Sequence, residues 1–76
     1  MKIITDILIK KLAKKATQRY AQLIGTEAAD FLRYFPQQVH ALATKDEQQW
    51  FQNQRASYRS TIKWKIYNAF LELTYS

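Results

Sequence analysis

Apolar residues recur along the first third of this chain at helical spacing. Leu8, Leu12, Ala16, Tyr20 and Ile24, joined by Leu23, follow the i, i+4 row that one helix face presents, while Lys10, Lys14 and Gln18 fall on the other side. The pattern predicts an amphipathic helix to about Ile24. Its expected N-cap is Thr5, with Ile4 and Ile9 placed to close a hydrophobic staple across the first turn. Gly25 stands where a left-handed C-cap belongs, and Thr26 is positioned to cap a short second helix with Glu27 and Asp30 in its first turn, where the helix dipole favours anions. Phe31, Leu32 and Phe35 supply the buried side of that helix, and Pro36 ends it and pre-forms the first turn of the next. A third short helix, Gln37 to Ala43, is expected to bury Val39 and Leu42.

The sharpest boundary is Thr44-Lys45-Asp46-Glu47, a capping box: the Thr44 side chain serves the third amide while Glu47 reaches back to the cap amide. A long final helix is predicted from there. Phe51, Tyr58, Ile62, Ile66, Ala69 and Leu73 form its core stripe, since their spacings average close to the period of a straight helix. The segment Ile62-Lys63-Trp64-Lys65-Ile66-Tyr67 also alternates apolar and polar with β-favouring residues, so a C-terminal strand or hairpin is the alternative. The absence of Gly and Pro from residues 44–76 favours helix, as Asn68-Ala69 makes a poor hairpin turn. The expected architecture is all-α: a bundle of three to four helices with a long C-terminal helix, residues 1–76 forming a single domain.

At 76 residues the chain has room for one core, and a domain of this size buries only about 60% of the surface exposed by its unfolded form. Cysteine is absent, so no disulfide framework is available, and one histidine cannot build a structural zinc site. No cofactor or metal is expected. Oligomerisation or a partner is the remaining support for so small a fold. No apolar run reaches the roughly 20 residues that span a bilayer, and the charged Met1 region lacks a secretory core, which points to a cytoplasmic location.

Charge adds an address to this picture. The net charge is +6, but Lys2, Lys10, Lys11, Lys14, Lys15 and Arg19 stand against Asp6 alone in residues 1–24. Residues 25–49 are acidic on balance, through Glu27, Asp30, Asp46 and Glu47. In residues 50–76 Arg55, Arg59, Lys63 and Lys65 oppose Glu72. Two basic ends therefore flank an acidic middle. Lys10, Lys11, Lys14, Lys15 and Arg19 form a row able to neutralise backbone phosphates, competing with the reading of an ordinary solvated helix face. Arg55, Arg59 and Lys63 form an i, i+4, i+8 row beside Tyr58 and Trp64, the mix of cations and ring faces that single-stranded nucleic acid uses. Tyr58 itself is assigned to the core. A membrane-surface role for the first helix ranks last, because its apolar residues are needed for the core.

Trp50, Trp64, Tyr67, Leu71 and Tyr75 are the candidate protein interface. Trp50, Trp64, Leu71 and Tyr75 fall roughly opposite the core stripe of a continuous last helix, so they await a partner or a second copy of the chain. The competing reading is a helix bent near Ser60-Thr61, bringing both faces to one core. Catalysis is not expected. The carboxylates Glu27, Asp30, Asp46 and Glu47 fall in predicted first turns, His40 has no second imidazole or thiol beside it, and a single glycine makes no phosphate-cradling loop.

Two stretches resemble known families. Trp50-Phe51-Gln52-Asn53-Gln54-Arg55 resembles the start of the homeodomain recognition helix, in which Trp and Phe pack while Asn and Arg contact DNA; Gln49 and Glu47 stand where that family has apolar residues. Leu23, Arg33-Tyr34, Pro36, Val39, Trp50-Phe51 and Tyr58-Arg59 are similar in order and approximate spacing to the theta accessory subunit of bacterial DNA polymerase III. Ala43-Thr44-Lys45-Asp46 replaces that family's Glu-Gln-Pro-Glu turn. The second resemblance implies a three-helix protein without catalysis of its own that docks on the proofreading exonuclease subunit. The reading as a whole is a non-catalytic basic helical module for nucleic acid or a nucleic-acid-processing complex. The alternative is a pure protein-interaction subunit, or an inhibitor encoded by a phage or plasmid.

Overall fold

Five helices account for nearly all of the computed structural model, which describes residues 2–75, with side chains from residue 5 onward. They are α1 (Lys2–Ala21), α2 (Thr26–Arg33), α3 (Phe35–Leu42), α4 (Lys45–Gln52) and α5 (Ala56–Tyr75). No strand occurs among the described residues, so the alternating segment 62–67 is helical. Its period-two pattern places Ile62 and Ile66 one turn apart, and these are almost fully buried, whereas Trp64 points outward.

The two long helices run side by side in the same direction. Thr5 meets Tyr58 near their beginnings, the hydroxyls 3.1 Å apart, and Tyr20 meets Phe70 near their ends, ring centroids 5.5 Å apart and edge to face. Parallel neighbours need a return path, and α2, α3 and α4 provide it. The core then divides along its length. At one end an aromatic cluster gathers Tyr20, Phe31, Phe35, Tyr67 and Phe70, with Phe35 and Phe70 at 4.9 Å and Phe35 and Tyr67 at 5.1 Å. Towards the other end Leu8, Leu12, Val39, Ile62 and Ile66 make an aliphatic floor. Ala13 and Ala16 are wholly buried on α1, and their small side chains let the neighbouring elements approach closely.

The expected continuous helix from Thr44 is the main correction. It breaks at Asn53–Arg55 although no Gly or Pro is there. A single helix over 45–75 would be about 46 Å long at 1.5 Å per residue. The molecule's longest extent is 37 Å. Breaking the helix folds α4 back, so that Trp50 and Phe51 pack on the core. The freed carbonyls at the end of α4 find donors close by: the Gln54 side-chain amide donates to the Trp50 carbonyl at 2.9 Å, and the Arg59 guanidinium donates to the carbonyls of Gln52 and Gln54. The capping box at the start of α4 is present as expected, Glu47 N–H to Thr44 Oγ1 at 3.1 Å and Thr44 N–H to Glu47 Oε1 at 2.9 Å.

Other boundaries shift for identifiable reasons. Thr5 lies inside α1 rather than capping it and is buried, with its hydroxyl turned to Tyr58; the Ile4 half of the expected staple lies outside the described side chains. α1 ends at Ala21, its last turn tightened by Gln22 N–H to Arg19 and Leu23 N–H to Tyr20 carbonyl bonds, and Ile24 is exposed instead of belonging to the core face. Gly25 has the positive φ foreseen, +59°, but with ψ −130° it is the N-cap of α2 rather than a left-handed C-cap of α1, so Thr26 is the first helical residue. α3 takes in Phe35 and Pro36 and closes at Leu42, one residue short of Ala43. Leu73 and Tyr58, assigned to the core stripe, are exposed, and Phe70, left out of it, is completely buried.

Candidate functional site

The basic row on α1 is not one surface. Lys10, Lys14 and Arg19 are exposed. Lys11 and Lys15, one position on from Lys10 and Lys14, are turned about 100° around the helix towards α3 and α4. Lys11 Nζ donates to Glu47 Oε2 at 2.7 Å, and Lys15 Nζ donates to the Leu42 carbonyl at 3.3 Å. These two cations thus tie the α3–α4 corner to α1. The Lys11 hydrogen bond holds the Glu47 carboxyl below its ordinary value, aided by the Thr44 amide and the charge of Lys15 and opposed by partial burial. Lys11–Glu47 is the one ion pair seen among the described residues. Ile7, 60% exposed, completes the outward face of α1 with Lys10, Lys14 and Gln18.

The second row also divides. Arg59 is half-buried and serves the end of α4, and Lys63 Nζ sits 5.9 Å from the centre of the Phe51 ring. Arg55 is exposed in the turn before α5. The helix break runs through the hexapeptide Trp50–Arg55, so Trp50, Phe51 and Gln52 belong to α4, while Asn53, Gln54 and Arg55 form the connection. They do not present the continuous helix face on which the homeodomain arrangement depends.

The five aromatic and apolar candidates separate into three packed and two free. Trp50, Tyr67 and Leu71 pack partly on the core, Tyr67 against Phe35. Trp64 and Tyr75 remain 63% and 68% exposed on α5, with the Trp64 ring 6.1 Å from that of Tyr67. The helix break removes Trp50 from the α5 surface, and no bend at Ser60-Thr61 is needed to explain it. Arg33 lies over the exposed ring of Tyr34 at 5.6 Å, a cation–aromatic pair that sequence spacing did not single out as a site.

No family model, characterised protein or solved structure matches this chain. Its own geometry therefore carries the functional reading. Among the described residues no group of three or more His, Asp or Glu side chains is placed to hold a metal ion, and no helix is long and apolar enough to cross a membrane.

A concavity of about 460 Å³ opens where α4 folds back over α1, α3 and α5. Leu8, Leu12, Val39 and Ile66 form its floor, and Phe51 closes one side. Arg59 and Lys63 stand on its wall together with Glu47. Sequence spacing gave no sign of this cleft, because it exists only through the break at Asn53–Arg55.

Proposed function

We propose that this protein is a non-catalytic basic helical module that contacts nucleic acid through the outward face of α1. One observation carries the reading: Lys10 and Lys14 project from one side of α1 with no acidic partner among the described residues, while the internal ion pair uses Lys11; Arg19 is exposed as well, about 180° around the helix from Lys10. Uncompensated cations along one helix suit phosphate neutralisation with release of counterions. Arg55 is a further exposed cation, in the turn before α5. On this reading the protein acts in the cytoplasm on nucleic acid or within a nucleic-acid-processing complex. A gel-shift titration with DNA and RNA at two salt concentrations tests it. Retardation at low salt that weakens at high salt is expected, and no binding to either polymer at low salt overturns direct contact.

The exposure of Trp64 and Tyr75 favours a second reading, in which α5 docks on a protein. A large ring kept in water costs stability and is a characteristic anchor of interfaces. A replication accessory subunit similar to theta, a phage- or plasmid-encoded inhibitor, and a homo-oligomer are its particular forms. Capture from nuclease-treated host lysate with wild type and Trp64→Ala separates it from the first reading. A partner retained after nuclease treatment and lost with Trp64→Ala supports docking through α5.

A further inference from the structure

We infer that the cleft beneath α4 is a binding site for a small amphiphile, an alkyl chain bearing one carboxylate. Its volume, about 460 Å³, falls within the range of small-molecule sites, about 300 to 1,000 Å³. Its floor is aliphatic, Leu8, Leu12, Val39 and Ile66, with the Phe51 ring beside them. Nothing on that floor donates or accepts a hydrogen bond through its side chain, so the part of the occupant that reaches it is hydrocarbon. A phosphodiester backbone has no counterpart for such a surface.

The wall specifies the other end of the occupant. Two cations, Arg59 and Lys63, line it with one carboxylate, Glu47, and the remaining polar lining is His40 and the uncharged amides of Gln37, Gln48 and Gln52. Glu47 is already engaged by Lys11 and by the Thr44 amide, and its carboxyl is held ionised by that pairing. Arg59 uses one guanidinium nitrogen on the carbonyls of Gln52 and Gln54, and a guanidinium carries five N–H donors. Lys63 faces the Phe51 ring and pairs with no carboxylate among the described residues. The wall is therefore positive on balance, and a single anionic head beside an apolar tail satisfies both parts of the cleft. α4 forms one wall and is joined to the rest by the capping-box corner and the Lys11–Glu47 pair, so a bound chain is expected to hold it down.

Isothermal titration of the full chain with sodium decanoate tests the proposal. Saturable binding at one equivalent is expected, with decyltrimethylammonium at least tenfold weaker, since it carries the same chain and the opposite charge. Lys63→Glu is expected to weaken decanoate at least tenfold while far-ultraviolet circular dichroism is unchanged, because Lys63 is exposed. Ala43→Phe, which fills the cleft from the end of α3, is expected to abolish decanoate binding, and Lys63→Gln gives an intermediate loss. Equal affinity for both amphiphiles, several equivalents bound, or full affinity in folded Lys63→Glu overturns the proposal. So does displacement of decanoate by a single-stranded oligonucleotide, which makes the cleft part of a nucleic-acid surface. Binding to anionic phospholipid vesicles without binding to monomeric decanoate overturns it in favour of a lipid interface.

Discussion

At the scale of single residues, Phe70 and Leu73 lie three positions apart on α5, and sequence spacing chose the wrong one for the core. Phe70 meets Tyr20, Phe31 and Phe35 and is completely buried, whereas Leu73 is 51% exposed. Phe70→Ala is expected to cost about 3 to 5 kcal/mol by urea denaturation, the range for deleting a buried aromatic side chain. Folding stability runs at about 0.05 to 0.15 kcal/mol per residue, so that loss takes much of what a chain this short has. Leu73→Ala is expected to cost under about 1 kcal/mol, and equal losses would mean that the end of α5 packs differently. Glu47 gives a pH dependence at the same scale. Its carboxyl is held below the ordinary value of 4.5, mainly by the Lys11 hydrogen bond. A lowered folded value means that the pairing contributes above the unfolded value and fades as pH falls through the folded one. Glu47→Gln is thus expected to melt below wild type at pH 7, with the gap closing below about pH 4.5. A melting gap unchanged between pH 7 and pH 3 contradicts the pairing.

Among the elements, the turn between α4 and α5 shows what local sequence can and cannot specify. The capping box was legible because its four residues contain both donors and both acceptors of the motif. The all-helical class was legible because the apolar spacings on α1 and α5 hold over several turns, and Ile62 and Ile66 are buried as that spacing implied. The break at Asn53–Arg55 was not, since nothing in Gln52-Asn53-Gln54-Arg55 forbids a helix; it follows from packing Trp50 and Phe51 on a core built by α1 and α3. Losing the break also hid the cleft, and with it the different duties of Arg59 and Lys63. Likewise the α1 cations looked equivalent in sequence, and only the position of α3 and α4 separates Lys11 and Lys15 from Lys10 and Lys14. Arg59 supplies two of the side-chain hydrogen bonds that hold the turn. Arg59→Ala leaves the carbonyls of Gln52 and Gln54 without its donor and is expected to cost about 1 to 3 kcal/mol. Faster amide hydrogen exchange at Asn53 and Gln54 than at α1 positions would mark the loss as local. A variant with unchanged exchange there would show that the guanidinium does not hold the turn.

For the whole molecule, charge and stability are coupled because the same helix supplies both. The fold is compact, with a radius of gyration of 12.1 Å, close to the roughly 11 Å expected for this length. A fold this small cannot spend all its cations on a partner, and Lys11 and Lys15 hold the α3–α4 corner while Lys10, Lys14 and Arg19 stay free. This division makes the proposed nucleic-acid contact separable from folding. If α1 neutralises phosphates through Lys10 and Lys14, log affinity plotted against log salt falls with a slope near −0.9 for each phosphate contacted on duplex DNA. Replacing both lysines by Gln is expected to make that slope shallower by about 2 with little change in melting temperature. Replacing Lys11 and Lys15 by Gln is expected to do the reverse, lowering the melting temperature and leaving the slope nearly unchanged at temperatures where the fold persists. Fluorescence anisotropy across a salt series, read beside thermal melts of the same variants, distinguishes the two pairs. Equal slopes for wild type and Lys10→Gln/Lys14→Gln would remove these two lysines from the interface and pass the phosphate contacts to the other exposed cations, Arg19 and Arg55 first.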